Sequence, residues 1–178
     1  MKDIEGWMGK RNQSWLKARA KEAHSVVEVG VWKGRTTQIF AEHAKGTVYA
    51  VDTWSGVPDD PKQHSKLYPD AANAFEEFRA NMAPYIQSGR VVPVTTDSLT
   101  AARRFAAQGL RFDLVFIDAD HRYEAVRDDV AAWSPLVADG GILCGHDFNP
   151  KWPGVVWAVS EAFPEAELAG SSIWWVRL

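Results

Sequence analysis

From Ser25 onward, short runs rich in β-branched and aromatic residues alternate with stretches whose apolar residues recur at helical spacing. That alternation is the sequence sign of a parallel sheet, because parallel strands can be joined only by a long crossover, usually a helix. The runs predict strands over Val26–Val29, Thr47–Asp52, Arg90–Val94, Asp113–Asp118 and Gly141–Gly145, a weak one over Glu165–Leu168, and a last one over Ser172–Arg177. Several are apolar almost throughout, as expected where helices cover both faces of a sheet. Between them Phe75, Phe78, Met82 and Ile86 share a helix face, as do Tyr123, Val126, Val130 and Trp133, and then Val156, Val159 and Phe163. Only the turn-like Ala169-Gly170-Ser171 separates the last two strands, so the sheet should end in an antiparallel hairpin.

At 178 residues and 46% apolar content, the chain reads as a single domain, 1–178, able to bury a core without disulfide or metal staples. Two segments stand outside the alternation. Residues 1–24 read as one or two leading helices, and the polar loop 55–70, rich in Pro, Asp and Lys, has the length and composition of a lid. Cys144 is the only cysteine, so no disulfide can form within the chain, and a reducing, cytoplasmic setting is expected. The N-terminal residues mix charged and apolar types with no long apolar run, which argues against a secretory segment or a membrane span. A net charge of −3 argues against nucleic acid as a partner. The nine tryptophans are core by default, with some available as the wall of a binding site.

The first strand runs into Glu28-Val29-Gly30-Val31-Trp32-Lys33-Gly34, followed by a helix opened by Arg35-Thr36-Thr37. In open α/β sheets ligands bind beyond the carboxyl ends of the strands, where glycine lets the backbone approach a nucleotide closely. The spacing differs from the G-x-G-x-x-G of dinucleotide sites, which lowers the nicotinamide reading. Asp52 ends the second strand, where a carboxylate can bind a ribose diol; Asp97, in Thr96-Asp97-Ser98, follows the third, and Asp118 ends the fourth. Each acid alone reads equally as a helix N-cap. Together with Glu28 they place a polar group at four strand ends in register, which points to a ligand rather than to four separate caps.

Val27-Glu28-Val29-Gly30-Val31-Trp32-Lys33-Gly34-Arg35-Thr36 resembles the first motif of the class I S-adenosylmethionine-dependent methyltransferases in its E-x-G-x-x-x-G-x-S/T form. Phe116-Ile117-Asp118-Ala119-Asp120-His121 is similar to the F-I-D-A-D-K segment of the catechol and caffeoyl-coenzyme A O-methyltransferases, and Gly140-Gly141-Ile142-Leu143 to the element that opens their fifth strand. The resemblance covers Val26 to Leu178 and implies a Rossmann-like α/β fold: a mostly parallel seven-stranded sheet in the order 3-2-1-4-5-7-6, with helices on both faces. It implies S-adenosylmethionine as cofactor, with Glu28 and Gly30 near its methionine part, Gly34 and Thr36 also at the cofactor, Asp52 on the ribose, Asp97 and Ser98 at the adenine, and Asp118 close to the transferring methyl. The residues agree: this ligand has a diol and an ammonium but no phosphate, so it suits acidic strand ends better than a cradle of amides and lysine.

On the acceptor side, Asp118, Asp120 and His121 follow the fourth strand, and His146-Asp147 follow the fifth. In the resembling O-methyltransferases the corresponding acids hold a divalent cation, which implies a Mg²⁺ or other divalent site from Asp118, His146 and Asp147; a polar rim without metal is the alternative. His121 replaces their catalytic lysine and could serve as general base, with Asp118 beside it, or as a second-layer or N-cap histidine. Trp32, Trp54, His64, Tyr68, Phe148 and Trp152 lie on loops where they could hold an acceptor. The expected reaction is methyl transfer to an oxygen of a small molecule, a sugar or a phenol, by a chain that could form a homodimer. Metal-independent N-methylation of a small amine, or a non-catalytic cofactor-binding partner subunit, are the other readings.

Overall fold

The computed structural model describes residues 3–55 and 73–178. Seven strands form one sheet: β1 (Ser25–Val29), β2 (Thr47–Asp52), β3 (Val91–Thr95), β4 (Phe112–Ile117), β5 (Val137–Gly145), β6 (Glu167–Ala169) and β7 (Ile173–Arg177). Their order is β3-β2-β1-β4-β5-β7-β6, as the resemblance implies. Strands β1 to β5 are parallel to one another, whereas β7 runs antiparallel between β5 and β6. The short connection between β6 and β7 leaves no room for a crossover, which is the physical reason for the reversal.

The described helices are α1 (Lys10–Ala20), α2 (Arg35–His43), α3 (Ala74–Gln87), α4 (Ser98–Ala107), α5 (Tyr123–Trp133) and α6 (Pro153–Ala162). Alternation along the strands divides the core into two layers. Val26, Val48, Leu114, Phe116 and Cys144 pack with Leu16, Phe40, Phe78 and Met82 from α1, α2 and α3. Their neighbours Val27, Val51, Val115, Ile117 and Leu143 pack on the other face with Phe105, Val130, Trp133 and Val159 from α4, α5 and α6. A strand with both faces covered is apolar at nearly every position, and burying each large side chain contributes about 1.5–3 kcal/mol.

Several expectations shift in detail. The fifth strand begins at Val137, and the sixth spans Glu167–Ala169. On α6 the buried face is Val155, Ala158 and Val159, one position away from the expected Val156 stripe. Before β1 there is one helix, α1, preceded by non-helical residues 3–9. The expected lid, with His64 and Tyr68, lies outside the described residues apart from Ser55. No helix among the described residues is long and apolar enough to cross a membrane.

Candidate active site

Because β1, β2, β3, β4 and β5 are parallel, their carboxyl ends gather at one edge, and there a cavity of about 550 Å³ opens. That volume suits a nucleoside-sized ligand. Gly30 forms its floor with φ 84°, and a Cβ there would lie 2.2 Å from the carbonyl oxygen of Asp118. Backbone therefore approaches backbone between the ends of β1 and β4, and only glycine fits. Trp32, Trp54 and Asp147, on the loops after β1, β2 and β5, also have positive φ (53°, 49° and 57°). Such conformations are rare for bulky residues, and their clustering around one cavity marks a functional edge.

Asp52 organises this floor. Its Oδ2 accepts from the backbone N–H groups of Val31 at 2.7 Å and Trp32 at 3.0 Å, and its Oδ1 accepts from that of Trp54 at 2.7 Å. A carboxylate has about four acceptor positions. Three are filled by backbone amides, which leaves about one acceptor position open toward the cavity. The Trp54 indole closes the same loop by donating to the Trp32 carbonyl at 2.9 Å and packing against Phe75 and Phe78.

Glu28 is fully buried, lines the cavity and accepts a 2.5 Å hydrogen bond from the Thr37 hydroxyl. Burial drives its pKa well above the ordinary carboxylate value; the Thr37 hydrogen bond opposes this, and the charges of Asp118 and Asp52 add to it. Thr36 lines the cavity, whereas Gly34, the N-cap of α2, is not among its lining residues. Asp97 and Ser98 line it too, but their side chains are already engaged. Asp97 is the N-cap of α4, accepting from the Thr100 N–H at 2.8 Å, and that bond holds its carboxyl below the usual range. The Ser98 hydroxyl donates to buried Asp129 at 2.5 Å and accepts from the Trp133 indole at 2.8 Å.

The register pairs Ile117 with Gly145, so Asp118 and His146 emerge side by side from β4 and β5. The ligand atoms of Asp118, His121 and Asp147 lie within 4.8 Å of one another. His121 Nε2 is 2.8 Å from Asp147 Oδ2 and 4.0 Å from Asp118 Oδ1. His146 Nδ1 is 3.5 Å from Asp118 Oδ1 and 3.6 Å from Asp147 Oδ2. For His146, burial lowers the pKa, but the hydrogen bond to Asp118 and the charges of Asp118 and Asp147 outweigh it and raise it. For Asp147, burial works against ionisation, yet the hydrogen bond from His121 and the charges of the two histidines hold it below its usual value. Asp120 faces another partner: its carboxylate takes the guanidinium of Arg122 at 2.6 and 2.9 Å and the Arg122 N–H at 2.8 Å.

The structure adds cavity residues that the sequence reading did not single out. Glu5, Gly6, Trp7, Met8 and Gly9 line one wall, with Trp7 tilted against Trp32 at 5.8 Å, so the chain's start crosses the ligand edge. Asn12 of α1 is buried and donates towards His146 Nε2 at 3.0 Å. The available signal was a polar residue at the head of the Asn12, Leu16, Ala20 buried stripe. Trp152 stacks on His121 at 4.3 Å, with the Lys151 ammonium 5.5 Å from its ring centre, so it braces the histidine.

Comparison with known proteins places this geometry. No curated protein sequence matches the chain. Among solved structures, the O-methyltransferase NovP superposes with a TM-score of 0.71 at 19% identity, over 95% of this chain and 80% of that one. CalS11, a TDP-rhamnose 3'-O-methyltransferase, does so at 0.62 and 20% identity, over 96% and 81%. An O-methyltransferase from Bacillus cereus, in complex with S-adenosylhomocysteine, gives 0.67 and 16% identity, over 96% and 82%. At such identities the likeness carries the fold. The family itself comes from a sequence model described as a methyltransferase domain, which matches residues 27–148, from β1 through the end of β5 and His146-Asp147. The chain belongs to that methyltransferase family, a class I, S-adenosylmethionine-dependent enzyme built on the Rossmann-like sheet.

Proposed function

We propose that this enzyme methylates an oxygen of a small-molecule acceptor, a sugar or phenolic hydroxyl, at the mouth of the cavity. The observation that carries the proposal is the meeting of His121 with Asp147 and Asp118 at the carboxyl ends of β4 and β5, beside the acid-lined cofactor cavity. The O-methyltransferase names of NovP and CalS11 support the same reading.

S-adenosylmethionine supplies the electrophilic methyl group when bound. The cavity fits it: the size is right, Gly30 admits close backbone approach, and buried Glu28 offers a carboxyl group whose ionisation a neighbouring ammonium would favour. What the protein adds is alignment and a place for the acceptor's proton. His121 Nε2–H donates to Asp147 Oδ2, which leaves Nδ1, without a hydrogen bond among the described residues, to accept that proton. Asp147 then stabilises the imidazolium, and Trp152 keeps the ring in place.

Asp118, His121 and Asp147 also fit a divalent cation, as two carboxylate oxygens and an imidazole nitrogen suited to Mn²⁺, Fe²⁺ or Zn²⁺ as well as Mg²⁺. Such an ion would supply Lewis acidity that lowers the acceptor's pKa. The two roles compete for His121 Nε2, so one measurement separates them. We expect S-adenosylhomocysteine to stabilise the protein by mass action, and labelled methyl to pass from S-adenosylmethionine to hydroxyl acceptors. Loss of turnover in excess chelator, with cofactor binding kept and Mg²⁺ or Mn²⁺ restoring the rate, assigns His121 to the metal; full turnover in chelator assigns it to proton transfer. Methylation of amines alone would overturn O-methylation.

A further inference from the structure

We infer that Asn12 is a positioning residue of the transfer site, fixing the His146 ring so that its Nδ1–H faces the carboxylates of Asp118 and Asp147. The consequence for turnover rests on the methyl-transfer reading above; the ring orientation does not.

Asn12 is 2% exposed, on the core stripe of α1, and 134 residues from His146 in sequence. A leucine would suit that stripe, since a buried amide stabilises nothing unless its polar atoms are bonded. All of them are. Oδ1 accepts from the Ser171 N–H at 2.7 Å and from the Ser171 hydroxyl at 3.0 Å. Nδ2 directs its two hydrogens to Ser172 Oγ at 3.0 Å and His146 Nε2 at 3.0 Å. An amide offers two donors and two acceptor sites, so its capacity is used in full.

Its orientation is forced. A backbone N–H can only donate, so the atom 2.7 Å from Ser171 N must be the carbonyl oxygen; turning the amide over would set two donors against each other there. Nδ2 therefore faces His146, and Nε2 must accept. The first proton of the ring then sits on Nδ1, whose nearest acceptors are Asp118 Oδ1 at 3.5 Å and Asp147 Oδ2 at 3.6 Å. The turn between β6 and β7 admits this arrangement: Gly170 has φ 62°, and a Cβ on it would lie 2.3 Å from Asn12 Oδ1.

Two consequences follow for the site. A nitrogen that carries a proton does not ligate a cation, so His146 is withdrawn from any ion and left as a donor between two carboxylates. That leaves Asp118, His121 and Asp147 as the side chains available for an ion or for proton transfer. Helix α1 and the β6–β7 turn, both remote from the ligand edge in sequence, thereby set the charge arrangement at the ends of β4 and β5.

Long-range ¹H–¹⁵N correlation spectra of the full chain labelled in histidine, at pH about 9 where imidazole is neutral, read the tautomer directly. Wild type should show His146 as Nδ1–H. Asn12→Asp keeps the shape and the bond from Ser171 N–H but presents an acceptor to Nε2, so it should switch His146 to Nε2–H. Its kcat should fall about 10–100-fold, the usual effect of losing a group that orients a site residue, with S-adenosylhomocysteine affinity retained. A wild-type ring in the Nε2–H form, an unchanged tautomer in Asn12→Asp, or an unchanged kcat would overturn the inference. The wild-type spectrum needs neither a folded variant nor an acceptor. Failure to methylate any acceptor would count against the transfer reading alone.

Discussion

Asp52 was expected on the ribose for its place at the end of β2, and the structure shows that it first organises the protein itself. Three backbone N–H groups of the neighbouring loops converge on its carboxylate. Asp52→Ala should therefore weaken S-adenosylhomocysteine binding by about 1.5–3 kcal/mol, as for a lost charged partner, and also lower stability, because buried donors lose their acceptor. Calorimetric titration and thermal unfolding of the same variant check both; intact binding would remove Asp52 from the cofactor. His121 has the opposite character, being held by Asp147 and Trp152 with one ring nitrogen in reserve. If it is the base, His121→Ala should lower turnover by about 10²–10⁴-fold, and the deficit should shrink as pH rises and the acceptor ionises unaided. A pH–rate profile parallel to wild type would return it to a structural role.

At the scale of elements, α4 begins where the adenine was expected, and its N-cap is the acid singled out for that contact. The cap takes Oδ1 of that carboxylate, which gives Asp97 a structural role of its own. Asp97→Ala should destabilise the protein by about 0.5–2 kcal/mol, the range for a lost N-cap, while S-adenosylhomocysteine affinity stays near wild type. A large loss of affinity with unchanged stability would reverse that assignment. The loops after β1, β2 and β5 place three non-glycine residues at positive φ around one cavity. Local preference opposes those conformations, so neighbouring packing must hold them, as Trp54 shows with its bond to the Trp32 carbonyl and its contacts to α3.

For the molecule as a whole, the pH dependence of stability includes a contribution from Asp129 on α5. It is 5% exposed, and burial raises its pKa from 3.8 to about 6, against the hydrogen bond from Ser98 and with the charges of Asp120, Asp128 and Asp97. The folded protein therefore binds this proton more tightly than the unfolded chain, and stability falls as pH rises from about 4 to about 6. Two pKa units correspond to about 3 kcal/mol, so Asp129→Asn, which keeps an acceptor for Ser98, should raise stability at pH 8 by about 1–3 kcal/mol and change little near pH 4. Denaturant unfolding at the two pH values tests this; an equal effect at both would place the cause in packing. By itself the sequence determined the sheet, its antiparallel end, the glycine turn and the acids at the strand ends, because strand periodicity, apolar runs and glycine placement are local signals that a parallel α/β fold must obey. Only the tertiary structure decided what each polar group at that edge does: that Asp52 is largely filled by amides, that Asp97 and Ser98 serve α4, Asp129 and Trp133, that Asp120 belongs to Arg122, and that Asn12 and Trp7 from the first residues line the cavity. The reason is geometric: hydrogen-bonding capacity is spent among groups brought together by chain crossings, and residues 12, 146 and 171 become neighbours only once α1 and the β6–β7 turn have packed beside the end of β5.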